Sequence, residues 1–162
     1  MKMAIGEKLK IVNDYIDGSE LPIHVIPLAN RLGIEVYKAD WPSSVSGKIQ
    51  RDEELGGDSG YAIFVNASHS ERRRRFTISH EIAHFVLHEE MIGDGLYDDA
   101  LYRSGLSAPE EVDANKLAAD ILMPRRILNE FAFALDDVET LAHQFNVSEQ
   151  AMARRLGIPA IW

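Results

Sequence analysis

Residues His80 to His88 read HEIAHFVLH: three histidines at four-residue intervals, with a glutamate directly after the first. On a helix, side chains four apart share a face, separated by about one turn. His80 and His84 could therefore offer two neutral imidazoles to one Zn²⁺ at roughly 2 Å each. Glu81 lies one residue round the helix, where a carboxylate can take a proton from a water held at the ion rather than bind the ion itself. An amphipathic helix that merely contains two histidines explains neither the spacing nor the glutamate. His88 extends the series, but it stands two turns from His80, about 12 Å along the axis. That is too far for both to meet one ion, so His88 is expected near the helix C-terminus, where an imidazolium suits the dipole.

A catalytic zinc needs a third protein ligand and an open position for water. The next strong helical segment, PEEVDANKLAADILMP from Pro109 to Pro124, is the place to look. Glu111 and Asn115 are four apart and share a face. Glu111 could bind the metal while Asn115 holds a ligating histidine through its other ring nitrogen. Glu110 points about 100° away and suits the helix cap. Asp113 has a shorter reach and points to another side, and it stands as the alternative ligand. Val112, Leu117, Ala118 and Leu122 are expected to form the core-facing side of the same helix.

The elements that must position these groups can be read from periodicity. Ile5, Leu9, Val12 and Ile16 give a one-sided helix over about residues 3 to 16, broken at Gly18. A short helix over Val25 to Leu32 stops at Gly33, and Ile34 to Tyr37 alternates as a strand. A loop follows from Trp41 to Gly60, with a short strand near Ser46 to Gln50. Tyr61 to Val65 is the clearest strand, with Tyr61, Ile63 and Val65 on one face. Ser68 and Glu71 form a capping-box pattern, predicting a helix from about residue 69 to 89 that carries the histidines. Residues 91 to 107 read as an irregular loop and a candidate lid. The second helix starts near Pro109, boxed by Ser107 and Glu110, and ends at Met123-Pro124. Further helices are expected near Arg125 to Phe133, over Val138 to Phe145 with Asp136 or Asp137 as cap, and from Ser148 to the stop at Gly157.

Composition narrows the function classes. The chain has 162 residues, 46% hydrophobic, enough for one core, so a single domain spanning residues 1 to 162 is expected, with about 137 to 162 as a helix-turn-helix-like appendix. The absence of cysteine excludes disulfides and thiolate metal sites. No apolar run fits a signal peptide or a membrane span, so a soluble, cytoplasmic protein without membrane partners is expected. A net charge of −9 argues against direct nucleic-acid binding. The run Arg72 to Arg75 is read as a solvated, salt-bridged stretch of helix surface.

With both helices in view, the chain resembles the ImmA/IrrE family of small zinc metallopeptidases. The resemblance rests on PIHVIPLANRLGIEVY, Val65-Asn66, RRRFTISHEIAHFVLH, EEVDANKLAADILMP and LAHQFNVSEQAMARRLG, which together cover most of the length. It implies an α+β, zincin-like fold with a small β-sheet, an H-E-x-x-H active-site helix, a second ligand-bearing helix and a C-terminal helical hairpin. It also implies one zinc per chain held by His80, His84 and Glu111, with Glu81 as catalytic base. This chain has Asp113-Ala114-Asn115 where Glu-Ala-Asn is commoner, which keeps Asp113 in view as the ligand. Members of the family typically cleave helix-turn-helix transcriptional repressors of mobile elements or stress responses, and such a repressor is the implied partner.

The expected reaction is zinc-dependent peptide hydrolysis with Glu81 as the proton acceptor. Tyr97, Tyr102, Arg103 and His143 are candidate oxyanion donors. The strand Tyr61 to Val65, if it lies at the sheet edge, could bind an extended substrate by strand addition. The alternative is a non-catalytic metal-binding regulator that holds a repressor without cutting it. A third reading, DNA binding through Arg154 and Arg155 of the last helix, is weakened by the acidic charge.

Overall fold

The computed structural model describes residues 2–92, 108–131 and 137–158. The described chain runs α1 (Ile5–Asp17), α2 (Val25–Arg31), β1 (Ile34–Ala39), β2 (Gly47–Arg51), β3 (Tyr61–Asn66), α3 (Glu71–His88), a single 3₁₀ turn (Glu89–Met91), α4 (Ala108–Leu122), α5 (Arg125–Asn129), α6 (Val138–Phe145) and α7 (Glu149–Leu156). This is the expected α+β architecture. No described helix is long and apolar enough to cross a membrane.

The three strands form one sheet in the order β1-β3-β2, with β1 parallel and β2 antiparallel to β3. β3 is therefore central, which corrects the expectation that it could sit at an edge and accept a substrate strand. Its ladder positions are taken by β1 and β2, and this explains why Tyr61, Ala62, Ile63 and Val65 are all buried rather than alternating. Gly47 opens β2 where α3 crosses it: a Cβ there would lie 2.6 Å from both the Phe64 carbonyl oxygen and the Thr77 methyl. The missing side chain lets α3 lie close on the sheet.

The N-terminus of α3 is set differently from the sequence expectation. Ser70, not Ser68, caps the helix, its hydroxyl accepting from the Arg73 amide. Ser68 is engaged by Asn66, whose Oδ1 accepts from the Ser68 amide at 2.9 Å and hydroxyl at 2.8 Å. The Asn66 amide nitrogen donates towards the carbonyls of Pro42 at 2.9 Å and Val45 at 2.7 Å. One fully buried side chain thus ties the loop before β2 to the start of α3. This is the Asx-type competition that draws a serine away from a cap.

The arginine run departs from a purely solvated reading. Arg75 is buried, and its guanidinium donates to the carbonyls of Ile23 at 2.7 Å, Asn146 at 3.1 Å and Phe145 at 3.3 Å. Burial pushes its pKa below the ordinary value, partly offset by Glu71. It remains a cation, since a guanidinium does not deprotonate in proteins. Arg75 thereby fastens α3 both to the segment before α2 and to the end of α6. Asn146, in the left-handed conformation at φ 52°, adds a bond to Glu71 at 2.6 Å.

On α1 the buried positions are Lys8, Val12 and Ile16, while Ile5 is half exposed. The Lys8 ammonium donates to the Phe85 carbonyl at 2.9 Å and pairs with Glu89, so α1 supplies a cation near the carboxyl end of α3. Helices α5, α6 and α7 close the far side, with Ile127, Leu141, Phe145 and Met152 in the same buried cluster as the sheet and α3. The caps of the last two helices are Asp137, accepting from the Thr140 amide at 3.0 Å, and Ser148, accepting from the Ala151 amide at 3.0 Å. Gly157 ends α7 at φ 73°. Ser107, Asp136 and the candidate lid from residue 93 onwards lie outside the described residues.

Candidate metal centre

Helix α3 carries an almost continuous buried stretch from Thr77 to Val86, which includes Ser79, His80, Glu81 and His84. Polar groups inside a packed helix are costly unless they serve one another or a ligand. Glu81 and His84 are fully buried and His80 nearly so. Their one-turn spacing brings the two Nε2 atoms to 3.1 Å from each other.

The carboxylate that meets them comes from α4. Of the side expected to face the core, Ala118 and Leu122 are buried and Leu117 packs partly buried against it, whereas Val112 is 49% exposed; Ala114 and Ile121 complete the buried face. Ala114 and Ala118 are small, and they let α4 approach α3 closely. Glu111 stands one turn before Ala114 on the same stripe. Its two oxygens reach the imidazoles, Oε2 at 3.1 Å from His80 Nε2 and Oε1 at 3.2 Å from His84 Nε2.

His80, His84 and Glu111 form the group among the described residues that could hold a metal ion, with one ligand atom from each within 4.8 Å of the others. The donor set fits zinc. Bonds of about 2 Å in a tetrahedral site place neighbouring donors about 3.3 Å apart, close to the separations found. Glu111 is the partly exposed member, with 32% of its side chain accessible, so the centre borders the surface on the α4 side. Asp113 and Asn115 are both exposed on α4. Asn115 lines a surface cavity of ≈ 480 Å³ together with Val112, Lys116 and Ala119.

His88 occupies a place that spacing alone did not reveal. Its Nδ1 lies 3.0 Å from His84 Nδ1, on the side of the His84 ring away from His80 and Glu111. One of two facing ring nitrogens must carry the proton and the other accept it. If Nε2 of His84 is to hold a metal, the proton sits on its Nδ1 and is donated to His88. The accepting nitrogen of His88 is then Nδ1, and Nε2 is the nitrogen that bears its proton. The signal was present in the sequence, since His84 and His88 share a helix face just as His80 and His84 do.

Phe76 was also not singled out by its sequence. It lies one turn before His80, with its ring stacked on that imidazole at 6.1 Å between centroids and 28° between planes, and it is 37% exposed. Among the oxyanion candidates, His143 is exposed on α6 beside Arg72, Glu139 and Glu149, and it is not a member of the metal group. Tyr97, Tyr102 and Arg103 lie outside the described residues. Arg155 of α7 donates to Asp120 at 2.7 Å and to the Met123 carbonyl at 3.0 Å, which engages one of the two arginines considered for DNA contact.

The family model Peptidase_M78, described as an IrrE N-terminal-like domain, matches residues 29–157. Among solved structures, a Mycobacterium tuberculosis transcriptional regulator superposes with a TM-score of 0.59 at 19% sequence identity, covering 91% of this chain. The chain spans 45% of the length of that regulator, and the likeness is one of fold. No curated protein sequence matches the chain.

Proposed function

Because the chain belongs to the M78 peptidase family of IrrE N-terminal-like domains, we propose that it is a zinc-dependent metalloendopeptidase acting on a protein partner. The observation that carries this reading is the convergence of His80, His84 and Glu111 at 3.1–3.2 Å from two separate helices, with Glu81 buried beside them. His80 and His84 are the imidazole ligands through Nε2, and Glu111 is the carboxylate ligand. Asp113 and Asn115, exposed on α4, are then left for roles outside the metal's immediate ligands. When bound, a single zinc supplies Lewis acidity towards a water and a peptide carbonyl. Glu81 accepts a proton on its carboxylate from the attacking water and returns it to the nitrogen of the departing amine. The buried surroundings of Glu81 and His84 keep bulk water from competing for these proton positions.

The family resemblance points to a helix-turn-helix transcriptional repressor as substrate, and the fold neighbour, itself a transcriptional regulator, is in keeping with a role in transcription control. The reading includes a cytoplasmic location and a single domain, with residues from about 137 as a helical appendix. An alternative is a non-catalytic regulator that uses the same metal group to hold its partner.

One experiment separates the two. The purified protein is assayed for metal and incubated with a candidate helix-turn-helix repressor, next to the Glu81→Gln variant. About one zinc per chain in both proteins, with specific fragments from the wild type alone, is the expected result. Equal cleavage by Glu81→Gln overturns the mechanism. Tight partner binding with no fragments from either protein favours the regulator.

A further inference from the structure

Phe76 stands between two surface depressions, of ≈ 330 Å³ and ≈ 480 Å³, which share Phe76, Ala151 and Arg154 in their walls. Their combined lining includes Arg72, Arg73, Lys116, Arg125, Arg154 and Arg155 and, among the described residues, no Asp or Glu. This chain has 26 acidic residues against 17 basic ones. A groove lined by six of those bases and by no acid among the described residues runs against the charge of the whole molecule.

Nearby carboxylates cancel only part of this charge. Asp120 neutralises Arg155. Glu139 and Glu149 line a separate neighbouring cavity, where Arg72 is also present. Arg73, Lys116, Arg125 and Arg154 have no ion-pair partner among the described residues. The floor between the cations is apolar: Phe76, Val112, Ala119, Met123 and Ala151.

The groove also has a fixed relation to the metal group. Phe76 stacks on His80, and Val112 follows Glu111 directly in α4. A chain lying in the groove therefore has its next residues at His80 and Glu111. From this juxtaposition we infer that the groove receives the part of the peptide substrate flanking the bond to be cut, and that it selects a segment in which acidic side chains alternate with large apolar ones.

The inference rests on the peptidase reading. It names what that reading leaves open, the class of sequence recognised. Large apolar side chains fill the floor around Phe76, and carboxylates meet the four free cations on the walls. A nucleic acid would satisfy the cations but would bring sugar and phosphate, not side chains, to the apolar floor.

The test uses the Glu81→Gln protein, which keeps the site without turnover, and fluorescence anisotropy with three labelled probes. These are a short peptide alternating Leu or Phe with Asp or Glu, the same peptide with Lys at the acidic positions, and a single-stranded DNA oligonucleotide. The acidic peptide is expected to bind at least about tenfold tighter than the lysine peptide, with affinity falling as salt rises. Reversing Arg125 and Arg154 together to Glu should remove that preference without altering metal content or thermal midpoint, since both side chains are exposed.

Equal binding of the two peptides overturns the inference, and so does a preference unchanged by the double reversal. DNA bound more tightly than the acidic peptide through the same arginines overturns it in favour of a nucleic-acid groove. Self-association that is lost on charge reversal overturns it in favour of a second copy. Failure of the peptidase reading has a different signature: the acidic peptide binds in the arginine-dependent manner, yet the zinc-loaded wild type cuts neither peptide nor repressor.

Discussion

Replacing His88 by leucine isolates the group behind the proposed zinc ligand His84. His84 is fully buried, and its Nδ1 faces His88 Nδ1 at 3.0 Å. Leucine fills a similar volume but accepts no hydrogen bond. The His84 Nδ1–H is then left without its acceptor in a place that water does not reach, a loss of about 1–3 kcal/mol. Moving the proton to Nε2 escapes that penalty but removes the lone pair that binds zinc. Either route weakens the metal site. Loss of such an outer partner typically lowers metal affinity about 10- to 100-fold, about 1.4–2.8 kcal/mol by the usual conversion, so two separate lines of reasoning give the same magnitude. Zinc affinity is measured by competition with a chromophoric chelator. His88→Asn should restore it to within a few fold, because its Oδ1 overlays the lost Nδ1. A leucine variant with wild-type zinc affinity would falsify the support of His84 by His88.

Two further outcomes test the frame that holds the site. Arg75→Met should lower unfolding stability by roughly 3–5 kcal/mol, since three carbonyls on two separate segments lose one charged donor; a urea-unfolding loss below about 1 kcal/mol would count against Arg75 as the tie between these segments. Asp137 is held below the ordinary carboxylate range by the Thr140 hydroxyl and amide. The cap it provides is therefore fully present above the unfolded Asp value and is lost as pH falls through the depressed folded one. Amide exchange in α6 should rise across that acidic window in the wild type. Asp137→Asn, whose neutral side chain also caps, should not show that rise.

The residues of the site and their local elements were legible in the sequence because they depend on short-range rules. One helix turn relates His80 to His84, and an acidic residue three positions before Ala114 falls on that residue's face whatever lies around it. Glycine and proline marked the stops at Gly33, Pro124 and Gly157. Ser148 announced its cap, and Asp137 was one of two expected. Where local rules competed, the sequence misled: Ser68 had the pattern of a cap, but Asn66 took its hydrogen bonds and passed the role to Ser70.

Relations between segments distant along the chain were decided only by the tertiary structure. That β3 is central follows from β1 and β2 pairing on either side of it, which no property of YAIFV itself specifies. The third member of the metal group is Glu111 because Ala114 and Ala118 bring that face of α4 against α3, while Asp113 is turned to solvent. Arg75 is buried within a run of four identical residues because only its side chain meets three carbonyls from other segments. His88 is placed as a partner of His84 because ring orientation sets which nitrogen faces which. Residue type and helix period fix what a side chain can do; packing between distant segments fixes which of several equivalent side chains does it.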